Sequence, residues 1–154
     1  MSADDLETWS ALVAVYQTVL HDVVRALEND AEMDSGMFSV LAHLGRAPSP
    51  GSLPLAELQQ LMHPRYSQPG LSRLVQRMEQ SDLVARNVSA ADGRAVTIRM
   101  TRRGRSRYER ANAVYNAAVH DHFGAFLSAT ERTRMANDLE RVLVRRHAHS
   151  SGKA

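Results

Sequence analysis

"SQPGLSRLVQRMEQSDLVARNVSAADGRAVTIRMTRRG", residues 67–104, decides the fold. Ser67 has the side chain of a helix N-cap, and Pro69 falls in the first turn, where a missing N–H leaves no helical bond unmade. Leu71, Leu74, Val75 and Met78 recur at helical spacing and form one buried face. The opposite face carries Gln68, Ser72, Arg73, Gln76 and Arg77. Two strand-like segments follow, 83–88 and 95–100, joined by a turn in which Gly93 supplies backbone freedom. Thr101-Arg102-Arg103-Gly104 then leads into a second helical pattern. Helix, hairpin and helix in this order make a recognition helix backed by a wing.

The flanking chain completes the motif. Residues 4–28 carry Leu6, Trp9, Leu12, Val13, Tyr16, Leu20, Val23, Val24 and Leu27 at helical spacing, with Asp4 or Ser2 as cap. Asp34 or Ser35 starts a second helix that ends near Gly45. "RAPSPGS" reads as a loop and "PLAELQQLMH" as a short helix with proline near its first position. That short helix, the turn "PRY" and the helix from Ser67 form a helix-turn-helix. A long helix spans about 102–124. Ser128 caps the last helix, with Glu131 completing a capping box. The expected fold is mainly α with a small β-hairpin wing, a winged helix-turn-helix.

At 154 residues, 44% hydrophobic and 23% charged, the chain reads as one globular domain with a real core. It has no cysteine, which removes disulfides, thiolate metal sites and thiol switches and fits a cytoplasmic protein. No apolar run is long enough to span a membrane. The seven methionines read as core filler. The net charge of +2 hides an asymmetry. Residues 1–62 hold two arginines against nine acids, whereas residues 63–110 hold eleven against four. A cationic block of this kind is the footprint of a polyanion, nucleic acid being the commonest.

The groups on the recognition face suit the major groove. Gln reads adenine, Arg reads guanine, and Ser bonds base or phosphate. Gly70 removes bulk at the helix start. At the wing, Arg94 is placed to enter a narrow, A·T-rich minor groove. Asp92 has two readings that are compatible: it orients the guanidinium of Arg94 or Arg86, or it stabilises the turn through its own backbone.

"LSRLVQRMEQSDLVAR" followed by "ADGRAVTIRMTRRG" resembles the MarR family of winged-helix transcriptional regulators. The family's recognition-helix pattern, T-R-x-x-x-R-L-E-x-x-G-L-V-x-R, falls on Ser72-Arg73, Arg77-Met78-Glu79, Leu83-Val84 and Arg86. Its wing D-x-R falls on Asp92 and Arg94, and its L-T-x-x-G on Met100-Thr101 and Gly104. Asp82 stands where the family has glycine, and Gln59 where it commonly has alanine. "MHPRYSQPG" is an individual version of the turn.

The resemblance implies N- and C-terminal dimerisation helices, 1–32 and 105–148. Between them it places a DNA-binding lobe, 33–104, and after them a flexible tail, 149–154. It implies a homodimer on double-stranded DNA at a pseudo-palindromic operator, with half-sites about one helical turn apart. It implies a repressor released by a small phenolic or aromatic effector held between the dimer helices and the lobe. Trp9, Tyr16 and His43 are the pocket candidates, each an apolar body with a polar edge. The apolar stripes of the first helix and of Leu139, Val142 and Leu143 fit a partner. No cofactor is expected. The histidine pairs 120/122 and 147/149 diverge by roughly 200° on a helix and make poor chelates, so no metal site is assigned. No catalytic motif is present, and the chain is not expected to be an enzyme. The alternatives are a winged-helix protein-interaction module, which the basic face disfavours, and a metal-responsive regulator.

Overall fold

The computed structural model describes residues 3–88 and 96–151. Six helices and a small sheet follow in the order α1 (Ala3–Asp30), α2 (Ser35–Arg46), β1 (Ser52–Pro54), α3 (Leu55–Met62), α4 (Gln68–Gln80), β2 (Val84–Val88), β3 (Val96–Met100), α5 (Arg102–His122) and α6 (Ala129–Ser151). A 3-10 turn, Gly124–Phe126, separates the last two helices.

The helix starts follow the capping chemistry. Asp34 Oδ1 accepts from the N–H groups of Gly36 (2.9 Å) and Met37 (3.0 Å) at the head of α2. Ser128 and Glu131 form the reciprocal box at the head of α6. The Ser128 N–H donates to Glu131 Oε2 (2.8 Å), and the Glu131 N–H donates to Ser128 Oγ (3.3 Å). These bonds hold the Glu131 carboxyl below its ordinary pKa.

The sheet differs from the expected hairpin by one strand. Its order is β1-β3-β2, both pairings antiparallel. Ser52 of the proline-rich connection pairs with Arg99, and Leu53 with Ile98. Three residues are too short to show alternation, and Pro48 and Pro50 mask the strand as loop. Gly51 makes the entry possible at φ +84, a conformation costly for residues with a Cβ. Its N–H donates to the Leu44 carbonyl (2.9 Å), and its own carbonyl accepts from the Met100 N–H (2.6 Å).

The core is centred in the lobe and takes in Leu27 of α1 and Ala111 of α5. Leu41, Leu44, Leu58, Leu71, Leu74, Val75, Met78 and Ile98 are essentially inaccessible, so α2, α3, α4 and the sheet share one apolar interior. Each such side chain contributes about 1.5–3 kcal/mol of transfer free energy. The long helices are different. Only the C-terminal half of α1 is buried, through Val23 and Leu27, while Leu6, Trp9, Leu12, Val15 and Tyr16 stand exposed. Among its described residues α6 carries no buried side chain, and Met135, Leu139, Val142, Leu143 and Val144 are exposed. Among the described residues α6 continues to Ser151.

Candidate nucleic-acid interface

The helix α4 is built as its sequence prescribes. Ser67 Oγ accepts from the Gly70 N–H (3.3 Å), and Pro69 occupies the first turn. Leu71, Leu74, Val75 and Met78 face the core, and Ser67, Gln68, Pro69, Ser72, Arg73, Gln76 and Arg77 are all exposed. An open groove along this face is lined by Gly70, Arg73, Leu74, Gln76, Arg77 and Gln80. Among the described residues neither Arg73 nor Arg77 enters an ion pair, so both guanidinium groups retain their donors for an external acceptor.

Arg86 is employed otherwise. Its Nε lies 2.9 Å from Glu79 Oε2, and its Nη2 donates to the Ser72 carbonyl at 3.4 Å. Of the two guanidinium groups offered as partners for Asp92, this one is therefore already engaged by α4. Asp92, Gly93 and Arg94 lie outside the described residues. The flanking strands are in register from Val84↔Met100 to Val88↔Val96.

The exit from α4 explains two family positions. The Leu83 N–H donates to the Met78 carbonyl and the Asp82 N–H to Glu79, both at 2.9 Å, a Schellman closure. Its left-handed position is Asp82, at φ +54, where glycine is the unstrained residue. Thr101 then locks the turn. Its N–H donates to the Leu83 carbonyl (3.1 Å), and its hydroxyl donates to the Asp82 carbonyl (2.6 Å). The same Oγ1 caps α5 by accepting from the Gly104 N–H (2.9 Å). A Cβ on Gly104 would lie 2.0 Å from the Leu83 oxygen. Threonine and glycine three apart thus fasten the wing root to α5.

The individual turn 62–67 is also pinned, a point missed in the sequence. Gln59 Nε2 donates to the Tyr66 carbonyl (3.2 Å). The Tyr66 hydroxyl occupies the space a Cβ on Gly36 would need. Arg65 donates to Ser35 Oγ (2.9 Å) and lies 5.9 Å from the Tyr66 ring centre. Gln59 in place of alanine was the available signal, since an amide on the inner side of α3 needs an acceptor.

The effector candidates are not gathered into an enclosed site by the single chain. Trp9 and Tyr16 are both 62% exposed on α1. His43 is half-buried on α2, and its pKa is lowered, first by burial and then by Arg46. Phe38, stacked on Tyr115 at 4.8 Å between ring centres and 5.8 Å from Tyr108, joins α2 to α5. Among the described residues no three His, Asp or Glu side chains are grouped to hold a metal ion. No described helix is long and apolar enough to cross a membrane.

Residues 37–95, from α2 to the wing, match the MarR family. No curated protein matches the chain. Among solved structures, AbsC, a MarR family transcriptional regulator from Streptomyces coelicolor, superposes with a TM-score of 0.81 at 18% identity. That alignment covers 96% of this chain and 97% of the other. A second MarR family regulator from Streptomyces coelicolor, solved in complex with DNA, gives 0.79 at 21% identity over 94% and 88% of the two chains. A mutant of MarR from E. coli, solved with operator DNA, gives 0.69 at 20% identity over 86% and 94%. The resemblance read from residues 71–104 is borne out, and the winged-helix fold extends through the long terminal helices.

Proposed function

We propose that this chain, MarR-like in the sequence of its DNA-binding lobe and in its whole fold, is a sequence-specific double-stranded DNA-binding transcriptional regulator. It works as a homodimer on a pseudo-palindromic operator. The observation that carries this reading is the outer face of α4. Gln68, Ser72, Arg73, Gln76 and Arg77 are exposed on one helix whose other face is buried to the last side chain. Two arginines there have no acidic partner among the described residues, while Arg86 beside them does. A solvated face carrying these unmatched cations along a capped helix is complementary to base edges and phosphates.

Dimerisation is supported by the terminal helices. Leu6, Trp9, Leu12, Val15 and Tyr16 of α1, and the apolar side chains of α6 from Met135 to Val144, are exposed in the single chain. Contiguous apolar surface of this extent is relieved by a second copy. Repression, and its release by a small aromatic effector, are carried over from the family. Trp9 and Tyr16 then present their polar edges where α1 meets its partner, and His43, held neutral, offers one donor and one acceptor.

Selection of binders from a random duplex library tests the reading. The expected product is an inverted repeat whose half-site centres lie about 10 base pairs, or one helical turn, apart. Enrichment of single, non-repeated sites would contradict the dimeric mode, and no enrichment would contradict sequence specificity.

A further inference from the structure

The chain passes between the long helices and the DNA-binding lobe twice. Residues 31–34 lead from α1 into α2, and Thr101 leads from β3 into α5. The second crossing is fastened by its own backbone and by Thr101, as described above. The first is fastened from the second. Arg107, in the second turn of α5, donates from Nη2 to the backbone carbonyl of Glu32 at 2.7 Å. Its Nη1 lies 3.9 Å from Glu32 Oε2.

Three features make this bond more than a surface contact. Glu32 is left-handed, at φ +49, a conformation that a glutamate keeps only when its surroundings hold it. The link around it is anchored on both sides by buried Ala31 and Met33, so the carbonyl has a fixed direction. The Arg107 side chain is only 28% exposed, whereas the Glu32 side chain is 81% exposed. The carbonyl, and not the solvated carboxylate, is therefore the effective partner. The Phe38–Tyr115 and Phe38–Tyr108 contacts also join α2 to α5, but stacked rings tolerate sliding. A guanidinium–carbonyl bond is directional and fixes one relative phase of the two bodies.

We infer that Arg107 is a positioning residue that sets the angle of the DNA-binding lobe against the dimer helices, and with it the separation of the two recognition helices. The inference rests on the homodimeric DNA-binding reading.

The chain has no cysteine, so a single nitroxide at Gln80→Cys, on the exposed end of α4, reports the distance between recognition helices by pulsed EPR. The Q80C protein is expected to give one narrow distance distribution. Adding R107A is expected to broaden it while circular dichroism and dimer mass stay unchanged. DNA affinity should fall by about threefold to tenfold, since only a fraction of molecules then presents the right spacing. R107K, which keeps a donor for the carbonyl, should restore most of the narrow distribution, and E32Q should leave it unchanged. R107Q, which keeps part of the aliphatic stem, serves the same comparison if R107A does not fold. A distribution as narrow in R107A or R107Q as in the parent would overturn the inference, and so would E32Q broadening as much as R107A. Absence of any inter-spin distance in the parent would instead overturn the dimer reading, and the inference with it.

Discussion

Arg86 on β2 and Glu79 on α4 meet at 2.9 Å, and the same guanidinium donates to the Ser72 carbonyl two turns earlier on α4. The root of β2 is thereby tied to α4, the helix proposed to read DNA. Arg86→Ala is expected to cost little stability, about 0.5–1 kcal/mol, because both partners are roughly one-third exposed and solvent screens the pair. The larger effect falls on DNA affinity, through a wing less firmly set against α4. Urea unfolding and anisotropy on the same variant separate the two. A stability loss above about 3 kcal/mol would mark Arg86 as a core support instead.

Asp82 holds a left-handed position that completes the closure of α4. Relieving its Cβ strain should outweigh the added freedom of the unfolded chain. Asp82→Gly is therefore expected to stabilise the fold by about 1 kcal/mol. A rise in the thermal midpoint of about 2–4 °C checks this. A fall would show that the aspartate side chain contributes more than the conformation costs.

Gly104 lies against a carbonyl that cannot move freely, because Leu83 O also accepts from Thr101 N. Gly104→Ala is expected to destabilise by about 3 kcal/mol, at the upper end of overpacking costs. Gly45→Ala is the contrast: its Cβ would lie 3.2 Å from the edge of the half-buried Tyr108 ring, a side chain that can shift more readily than a backbone carbonyl. Denaturant midpoints of the two variants should separate clearly, and equal midpoints would contradict the role assigned to the Thr101–Gly104 lock.

His43 gives the fold a pH dependence of known sign. Burial, and then Arg46, lower its pKa in the folded chain from 6.5. As pH falls through 6.5 the unfolded chain takes up the proton first, so stability declines. The decline continues until pH reaches the lower folded value, and it vanishes above 6.5. His43→Gln should flatten this acid-side slope in a series of unfolding midpoints. Identical slopes in both proteins would remove His43 as the cause.

What the sequence could show follows from range. The face of α4 was legible because helical periodicity and the Ser67 cap act within a few residues. The capping box at Ser128 was legible for the same reason. β1 was hidden because its stability comes from pairing with β3, more than forty residues away, and three residues carry no period. From the sequence alone, Arg86 is a possible partner of Asp92 in the wing. The residue that engages it, Glu79, stands in the quoted motif, but only the fold of the hairpin onto α4 brings the two together. The Arg107–Glu32 bond spans 75 positions and ends on a backbone carbonyl, which no side-chain pattern announces. For the effector candidates, the aromatic edges of Trp9 and Tyr16 were visible, while the single chain leaves both exposed and builds no enclosure around them.

The central claim is that the α4 face reads DNA sequence. Its most direct test is fluorescence anisotropy of the purified protein on duplex from immediately upstream of its own gene, over a salt series, with random duplex as competitor and Arg73→Ala in parallel. The account predicts tight binding that outcompetes random DNA and weakens steeply with salt. It also predicts that Arg73→Ala lowers affinity by about 1–3 kcal/mol and relaxes the preference at one base position. No binding by the parent protein even at low salt, or full affinity and unchanged preference in the variant, would contradict it.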